Sequence, residues 1–310
     1  MRRATLTLLL LLWALIAGCG RELTSPTSLP GVLIDHSESL LVGAGDIGLC
    51  GSRAAEATAK LLDGMAGVVF TAGDNAYPSG AAANYRDCYE PNWGRHKART
   101  RPTPGNHEYE SAGASPYFNY FGTNAGPSGL GYYRYRLGDW QIYSLNSNIA
   151  ADTASAQVQW LRGELAANPS TCALAYWHHP RFSSGPHGDT LAMQPVWRAL
   201  YDGGVEMVIS GHDHFFERFA PQDADGRLDP VHGIRQFIAG TGGAELTMPV
   251  RAHANSDARW SVHGVLQLVL RENGYTWGFV SDTGAATDIG GALCHGSPNP
   301  PSAYLLKGFW

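Results

Sequence analysis

Charge is scarce in this sequence. Only 16% of its 310 residues are Asp, Glu, Lys or Arg, and the formal net charge is -5. There is no basic stripe of the kind that neutralises a phosphate backbone, so nucleic acid is not an expected partner. Internal repeats are lacking as well, and no linker interrupts the chain beyond Leu40. The apolar run in "MRRATLTLLLLLWALIAGCG" is too short to cross a bilayer comfortably. What remains is the composition of an ordinary globular protein, long enough to bury a substantial core.

That apolar run follows Arg2 and Arg3 and ends in small residues, the layout of an export signal over residues 1–18. The stretch Ile16-Ala17-Gly18-Cys19 resembles the lipobox of bacterial lipoproteins, in which cleavage leaves a lipid-modified N-terminal cysteine. Lipidation of Cys19 is therefore expected. It would tether the exported chain to the bacterial cell envelope, on its periplasmic or extracellular face; the alternative is a freely secreted protein with an incidental cysteine. Setting Cys19 aside leaves Cys50, Cys88, Cys172 and Cys294, an even number in an exported chain, which predicts two disulfides. Of three possible pairings, Cys50 with Cys88 and Cys172 with Cys294 is preferred, because each pair then comes from one half or one sheet layer. Residues 19–39 are rich in Ser, Thr and Pro without amphipathic periodicity and read as a flexible tether.

From Leu40 onward, short apolar runs recur, each stopped by a polar or Gly-containing loop: "SLLVGAGD", "AGVVFTAGDNAY", "TRPTPGNHE", "CALAYWHHP" and "VEMVISGHDH". These read as buried strands. Helical patterns lie near residues 53–64, 154–168 and 192–204. Strand and helix alternate, which predicts a layered α/β fold. The aromatic and β-branched alternation near 132–146 and 264–281 makes part of the sheet antiparallel. The tail "GSPNPPSAYLLKGFW" reads as extended.

Asp46, Asp74, Asn106, His178 and His212 each come just after an apolar run. Ligands of open α/β sheets bind at the carboxyl ends of strands. Five such ends would therefore bring oxygen and imidazole donors around one crevice, suited to two cations sharing a carboxylate. Each block also has a plainer reading: Asp and Asn stabilise turns and cap helices. Even the His-x-His of "GHDH" is only suggestive by itself.

Taken in order, "GDIG", "GDNAY", "GNHE", "WHHP" and "GHDH" resemble the signature blocks of the calcineurin-like metallophosphoesterase superfamily. Gly48 stands where most of that superfamily has a histidine, and Tyr77 follows the second block, as in the purple acid phosphatase branch. The resemblance runs from about Leu40 to the end of the chain. It implies a four-layer αββα sandwich with mixed β-sheets over residues 40–310, forming one catalytic domain without the extra N-terminal β domain of plant members. It further implies a first metal on Asp46, Asp74, Tyr77 and His214, and a second on Asp74, Asn106, His178 and His212, with Asp74 bridging. Phenolate is a hard anionic donor, which favours Fe(III) in the tyrosine site beside a divalent Zn, Mn or Fe(II). His107 and His187 match the family's histidines that orient substrate and assist departure of the leaving group, a task suited to imidazole. Arg181 and His179 are candidate substrate contacts, and Arg218 reads as a structural partner of Glu217. In an extended strand end, His179 would point away from His178. The remaining histidines, at 36, 96, 232, 253, 263 and 295, read as surface or hydrogen-bonded groups.

The expected activity is hydrolysis of a small phosphate monoester. A phosphodiesterase or nucleotidase on the same centre is the alternative, since specificity lies in loops. A third reading, from another class, is a phosphate-binding or adhesive lipoprotein with a vestigial metal centre; against it, no ligand position is substituted.

Overall fold

The computed structural model describes residues 38–296, apart from Ala285. The export signal, Cys19, nearly all of the tether, His36 and most of the C-terminal tail lie outside the described residues. Thirteen strands run along the described residues. The first six are β1 (Ser39–Ala44), β2 (Val68–Ala72), β3 (Thr100–Thr103), β4 (Tyr133–Leu137), β5 (Trp140–Ser144) and β6 (Ala173–Tyr176). They are followed by β7 (Met207–Ser210), β8 (Phe216–Phe219), β9 (Arg235–Ala239), β10 (Ser256–Trp260), β11 (Gly264–Arg271), β12 (Gly274–Ser281) and β13 (Ala286–Leu293).

They form two mixed sheets, ordered β13-β12-β11-β1-β2-β3 and β10-β8-β9-β7-β6-β5-β4. In the first sheet β1, β2 and β3 are parallel neighbours, and β11 joins β1 antiparallel. In the second, β5, β6, β7 and β9 form the parallel centre, with β4 and β8 antiparallel to it.

Side-chain alternation assigns the layers, because successive residues of a strand face opposite sides of the sheet. Leu41, Phe70, Leu174 and Ile209 enter the core between the sheets. Their neighbours Val42, Val69, Ala175 and Val208 turn outward to pack under helices. The helix Arg53–Asp63, N-capped by Ser52, lays Ala59 and Leu62 on the first sheet. The helices Ala156–Ala167 and Gln194–Asp202 lay Val158, Leu161, Trp197 and Leu200 on the second. The result is a four-layer αββα sandwich.

The three expected helices and the strand pairs near 132–146 and 264–281 form where the periodicity puts them. The short strands β8, β9 and β10 and the C-terminal β13 carry no such signal: "FERF", "RQFIA" and "SDARW" are interrupted by charge. Disulfides join Cys50 to Cys88 and Cys172 to Cys294, with Cα separations of 4.6 and 5.5 Å. No helix among the described residues is long and apolar enough to cross a membrane.

Candidate metal centre

Each of the five sequence blocks begins where a parallel strand stops. Asp46 and Asp74 follow the ends of β1 and β2 by two residues, and Asn106 follows β3 by three. His178 and His212 follow β6 and β7 by two. Both sheets thus deliver polar groups to one place, the carboxyl ends of their parallel strands.

The backbone is bent sharply to do this. Asp46, Asp74 and His212 have φ of 61°, 49° and 70°, and among the described residues only Ala114 joins them as a non-glycine with positive φ. Such conformations cost about 1–3 kcal/mol each and persist where the surroundings impose them. Space is equally tight. A Cβ on Gly105 would fall 2.1 Å from Asp74 Oδ1, and one on Gly211 would fall 2.4 Å from Asp46 Oδ2.

Two donor sets result. In the first, Tyr77 Oη lies 2.9 Å from Asp46 Oδ1, 3.1 Å from Asp74 Oδ2 and 3.2 Å from His214 Nε2. His214 Nε2 is 3.3 Å from Asp46 Oδ1. In the second, His178 Nε2 lies 3.0 Å from Asn106 Oδ1, 3.2 Å from Asp74 Oδ2 and 3.2 Å from His212 Nδ1. Asp74 Oδ2 belongs to both sets.

Backbone groups hold the outer atoms. Asp74 Oδ1 accepts the His107 N–H at 3.0 Å, and Asp46 Oδ2 accepts the His212 N–H at 2.9 Å. His178 Nδ1 is 2.8 Å from the Ala72 carbonyl, and His214 Nδ1 is 2.7 Å from the Glu245 carbonyl. Carbonyl partners of this kind fix a ring's tautomer and leave its other nitrogen free to ligate.

The residues fit a pair of cations. Asp46, Asp74 and His178 are at most 1% exposed, and their donor atoms converge without enough protons to satisfy one another. The single phenol proton of Tyr77, for example, faces two carboxylates. Spacings near 3 Å are those of adjacent ligands about 2.1 Å from a shared ion.

The same close packing couples the charges of these groups. Burial would raise Asp74, but His178 and His107 hold it well below the usual carboxylate range. Burial would lower His178 and His214, yet the Asp74 carboxylate lifts His178 to about 9 and the Asp46 carboxylate lifts His214 to about 9. Burial and the two carboxylates push the Tyr77 phenol well up. Burial and the charge of His178 drive His179 and His212 down to about 3 and about 2.

His107 and His187 flank the cluster from opposite ends. The His107 ring lies 4.6 Å from that of Tyr77, and its Nδ1 contacts the Pro78 carbonyl. The His187 ring lies 4.2 Å from that of His212 and is exposed.

Three expectations are corrected. His179 does not point away from His178: their ring centroids are 4.9 Å apart, and the His179 ring is 4.4 Å from that of His212. The strand ends at Tyr176, so pleated alternation has lapsed before His178 is reached. Arg181 is 4% exposed, with Nη2 donating to the Ala224 carbonyl, Nη1 4.0 Å from Asp189 Oδ2 and its guanidinium 4.2 Å from the Phe182 ring, so it is packed into the fold rather than open to a substrate. Arg218 pairs with Asp257 and Asp288, not with Glu217. Among the other histidines, His96, His263 and His295 have hydrogen-bond partners in the surrounding fold.

Sequence reasoning missed three supporting groups. Glu108, fully buried, accepts from the N–H groups of Asn75 and Gly105 and ties the second block to the third. Asp213, between the two histidines of "GHDH", accepts from Ser183 Oγ and from the His187 N–H. Ser147 lies three residues beyond β5 and contacts His179. Glu108 and Asp213 were visible inside quoted blocks; nothing marked Ser147.

Sandwich and site together define a layered α/β protein with a candidate metal centre at the carboxyl ends of its parallel strands. A family model described as "Calcineurin-like phosphoesterase" matches residues 41–216, more than half of the chain, and the chain belongs to that family. Purple acid phosphatase 15 of Arabidopsis thaliana is 25% identical over 273 residues, covering 76% of this chain and 49% of the relative. Purple acid phosphatase 18 of the same plant is 28% identical over 211 residues, covering 58% and 46%. The chain thus spans about half the length of these curated relatives. Among solved structures, the purple acid phosphatase PPD1 from yellow lupin seeds superposes with a TM-score of 0.71 at 15% identity, covering 86% of this chain and 57% of that one. GAP50, the anchor in the inner membrane complex of Plasmodium, superposes at 0.68 with 14% identity, covering 84% and 90%. At such identities the structures share the fold alone.

Proposed function

We propose that this chain hydrolyses phosphate monoesters at a dinuclear centre of Fe(III) and a divalent ion, Zn, Mn or Fe(II). The observation that carries the reading is Asp74 Oδ2, shared by two otherwise separate donor sets at 3.1 Å from Tyr77 Oη and 3.2 Å from His178 Nε2. The first ion would be held by Asp46, Asp74, Tyr77 and His214, the second by Asp74, Asn106, His178 and His212. When bound, such a pair supplies Lewis-acid activation of water and neutralises charge on the phosphate oxygens.

The chain's own residues do the rest. Asp74, fixed through Oδ1 by the His107 N–H, keeps the two positions in register. His107 at the tyrosine end and His187 at the far end would straddle the phosphate, orient it and deliver a proton to the departing alkoxide. Asp213 positions His187 by accepting the N–H of that residue and the hydroxyl of Ser183.

Export and anchoring through Cys19 belong to the same proposal, and the two disulfides support an oxidising destination. The deciding experiment is metal analysis with a visible absorption spectrum, alongside phosphate release from an aryl phosphate ester. The expectation is two ions per chain, a tyrosinate-to-ferric absorption band and released phosphate. A protein loaded with iron and zinc that releases none would sink the reading, and rates on mono- and diesters side by side would separate it from a diesterase.

A further inference from the structure

His178 and His212 are accounted for by the second donor set, but a third imidazole stands beside them. One ring nitrogen each of His178, His179 and His212 lies within 4.8 Å of the other two. Nitrogens about 2.1 Å from a shared cation are at most about 4.2 Å apart; His178 Nε2 and His212 Nδ1, 3.2 Å apart, lie inside that limit, and the His179 ring stands 4.4 Å from that of His212.

The His179 ring is clamped in this position. Its Nδ1 lies 2.8 Å from Ser147 Oγ, and the same oxygen accepts the His179 backbone N–H at 3.0 Å. A Trp177 indole N–H donates to the His179 carbonyl at 2.7 Å, so the backbone is held as well. Nδ1 is thus engaged by a hydroxyl oxygen, while Nε2 has no hydrogen-bond partner among the described residues. With the Nδ1 proton donated to that oxygen, Nε2 would present a lone pair, the tautomer of a metal-bound imidazole.

We propose that His179 is an additional ligand of the second cation, oriented by Ser147. That position would then have three imidazoles, with Asp74 and Asn106 as its oxygen donors. Imidazole suits Zn and Fe, whereas Mn and Mg favour carboxylate, carbonyl and water. The third imidazole therefore biases the second position toward Zn over Mn. It also gives His179 a role in holding metal rather than in contacting substrate. The inference rests on the dinuclear reading and extends it.

The test is calorimetric titration of Zn2+ and of Mn2+ into metal-stripped full-length protein, comparing wild type with His179→Ala, His179→Asn and Ser147→Ala. Wild type should take up two ions per chain. His179→Ala should weaken one of the two Zn2+ sites by roughly 10- to 100-fold and leave the other unchanged, the range typical of losses around a metal ligand. Its Zn2+ preference over Mn2+ at the weakened site should shrink as well. Ser147→Ala should produce a smaller loss at the same site. His179→Asn, which keeps the backbone hydrogen bond to Ser147, should reproduce the loss if the alanine variant fails to fold. If both His179 variants bind two Zn2+ as tightly as wild type, the third ligand is wrong while the dinuclear centre stands. Fewer than two ions in the wild type would instead remove the dinuclear reading itself.

Discussion

Single atoms decide this site. Asp74 Oδ2 is common to both donor sets, so Asp74→Asn should cost both ions together, and activity should fall by more than roughly a hundredfold. Metal content measured on the purified variant checks this; retention of two ions would show that the bridge is dispensable. Tyr77 has a different signature. Tyr77→Phe removes the phenol oxygen that faces Asp46, Asp74 and His214, so an iron-loaded variant should lack the tyrosinate absorption band. A persistent band would transfer the colour to another group. Asp46, Asp74, Asn106, His178 and His212 were legible as an ordered set that follows apolar runs, whereas Tyr77 and His214 came from the family resemblance. Ser147 was not legible, because a lone serine in a loop has no pattern, and only the folded chain brings it to His179.

At the scale of elements, the loop over residues 183–187 is held by carboxylates: Glu217 and Asp189 accept the N–H groups of Ser184 and Ser183, and Asp213 holds the part that leads to His187. Asp213 receives the Ser183 hydroxyl and the His187 N–H, and a Cβ on Gly185 would fall 2.3 Å from its Cγ. Asp213→Asn should loosen the segment that carries His187. Turnover is expected to fall roughly ten- to a hundredfold, as for other small misplacements of catalytic groups, with metal content unchanged. Steady-state kinetics with metal analysis on the same sample separates this from damage to the neighbouring ligands His212 and His214. The strands that carry ligands were readable as apolar runs ending in Gly-Asp, Gly-Asn, Gly-His or, for β6, Trp-His. The strands β8, β9 and β10, which complete the second sheet beside β7, were not, because their residues alternate charge with aromatic groups and pair only in sheet context.

For the whole molecule, the join between the C-terminal segment and the second sheet sets a pH dependence. Glu206, 2% exposed, accepts from the N–H groups of His295 and Gly296, and the His295 ring lies 3.2 Å away. Burial pushes its carboxyl up to about 8. A raised acid binds its proton in the folded state over a pH range in which the unfolded chain has lost it. Stability therefore falls as pH rises from about 4.5 to about 8, by on the order of 3 kcal/mol. Glu206→Gln keeps an acceptor for both N–H groups and should flatten that slope, as urea unfolding at pH 5 and pH 8 would reveal; an unaltered slope would place the dependence elsewhere. The adjoining Cys172–Cys294 bridge closes a long loop, and its removal by Cys172→Ser should cost about 2–5 kcal/mol in the same assay.

The sequence by itself determined the layered class, the order of the ligand blocks and an even set of cysteines for two disulfides, because strand periodicity, strand-end chemistry and cysteine parity are local or countable. Only the tertiary structure decided which way His179 faces, that Arg181 is buried under Ala224, and that Glu108 and Asp213 hold the ligand loops together. Those outcomes depend on side chains meeting from segments far apart in the chain, where the backbone has left its regular strands and no periodicity predicts direction.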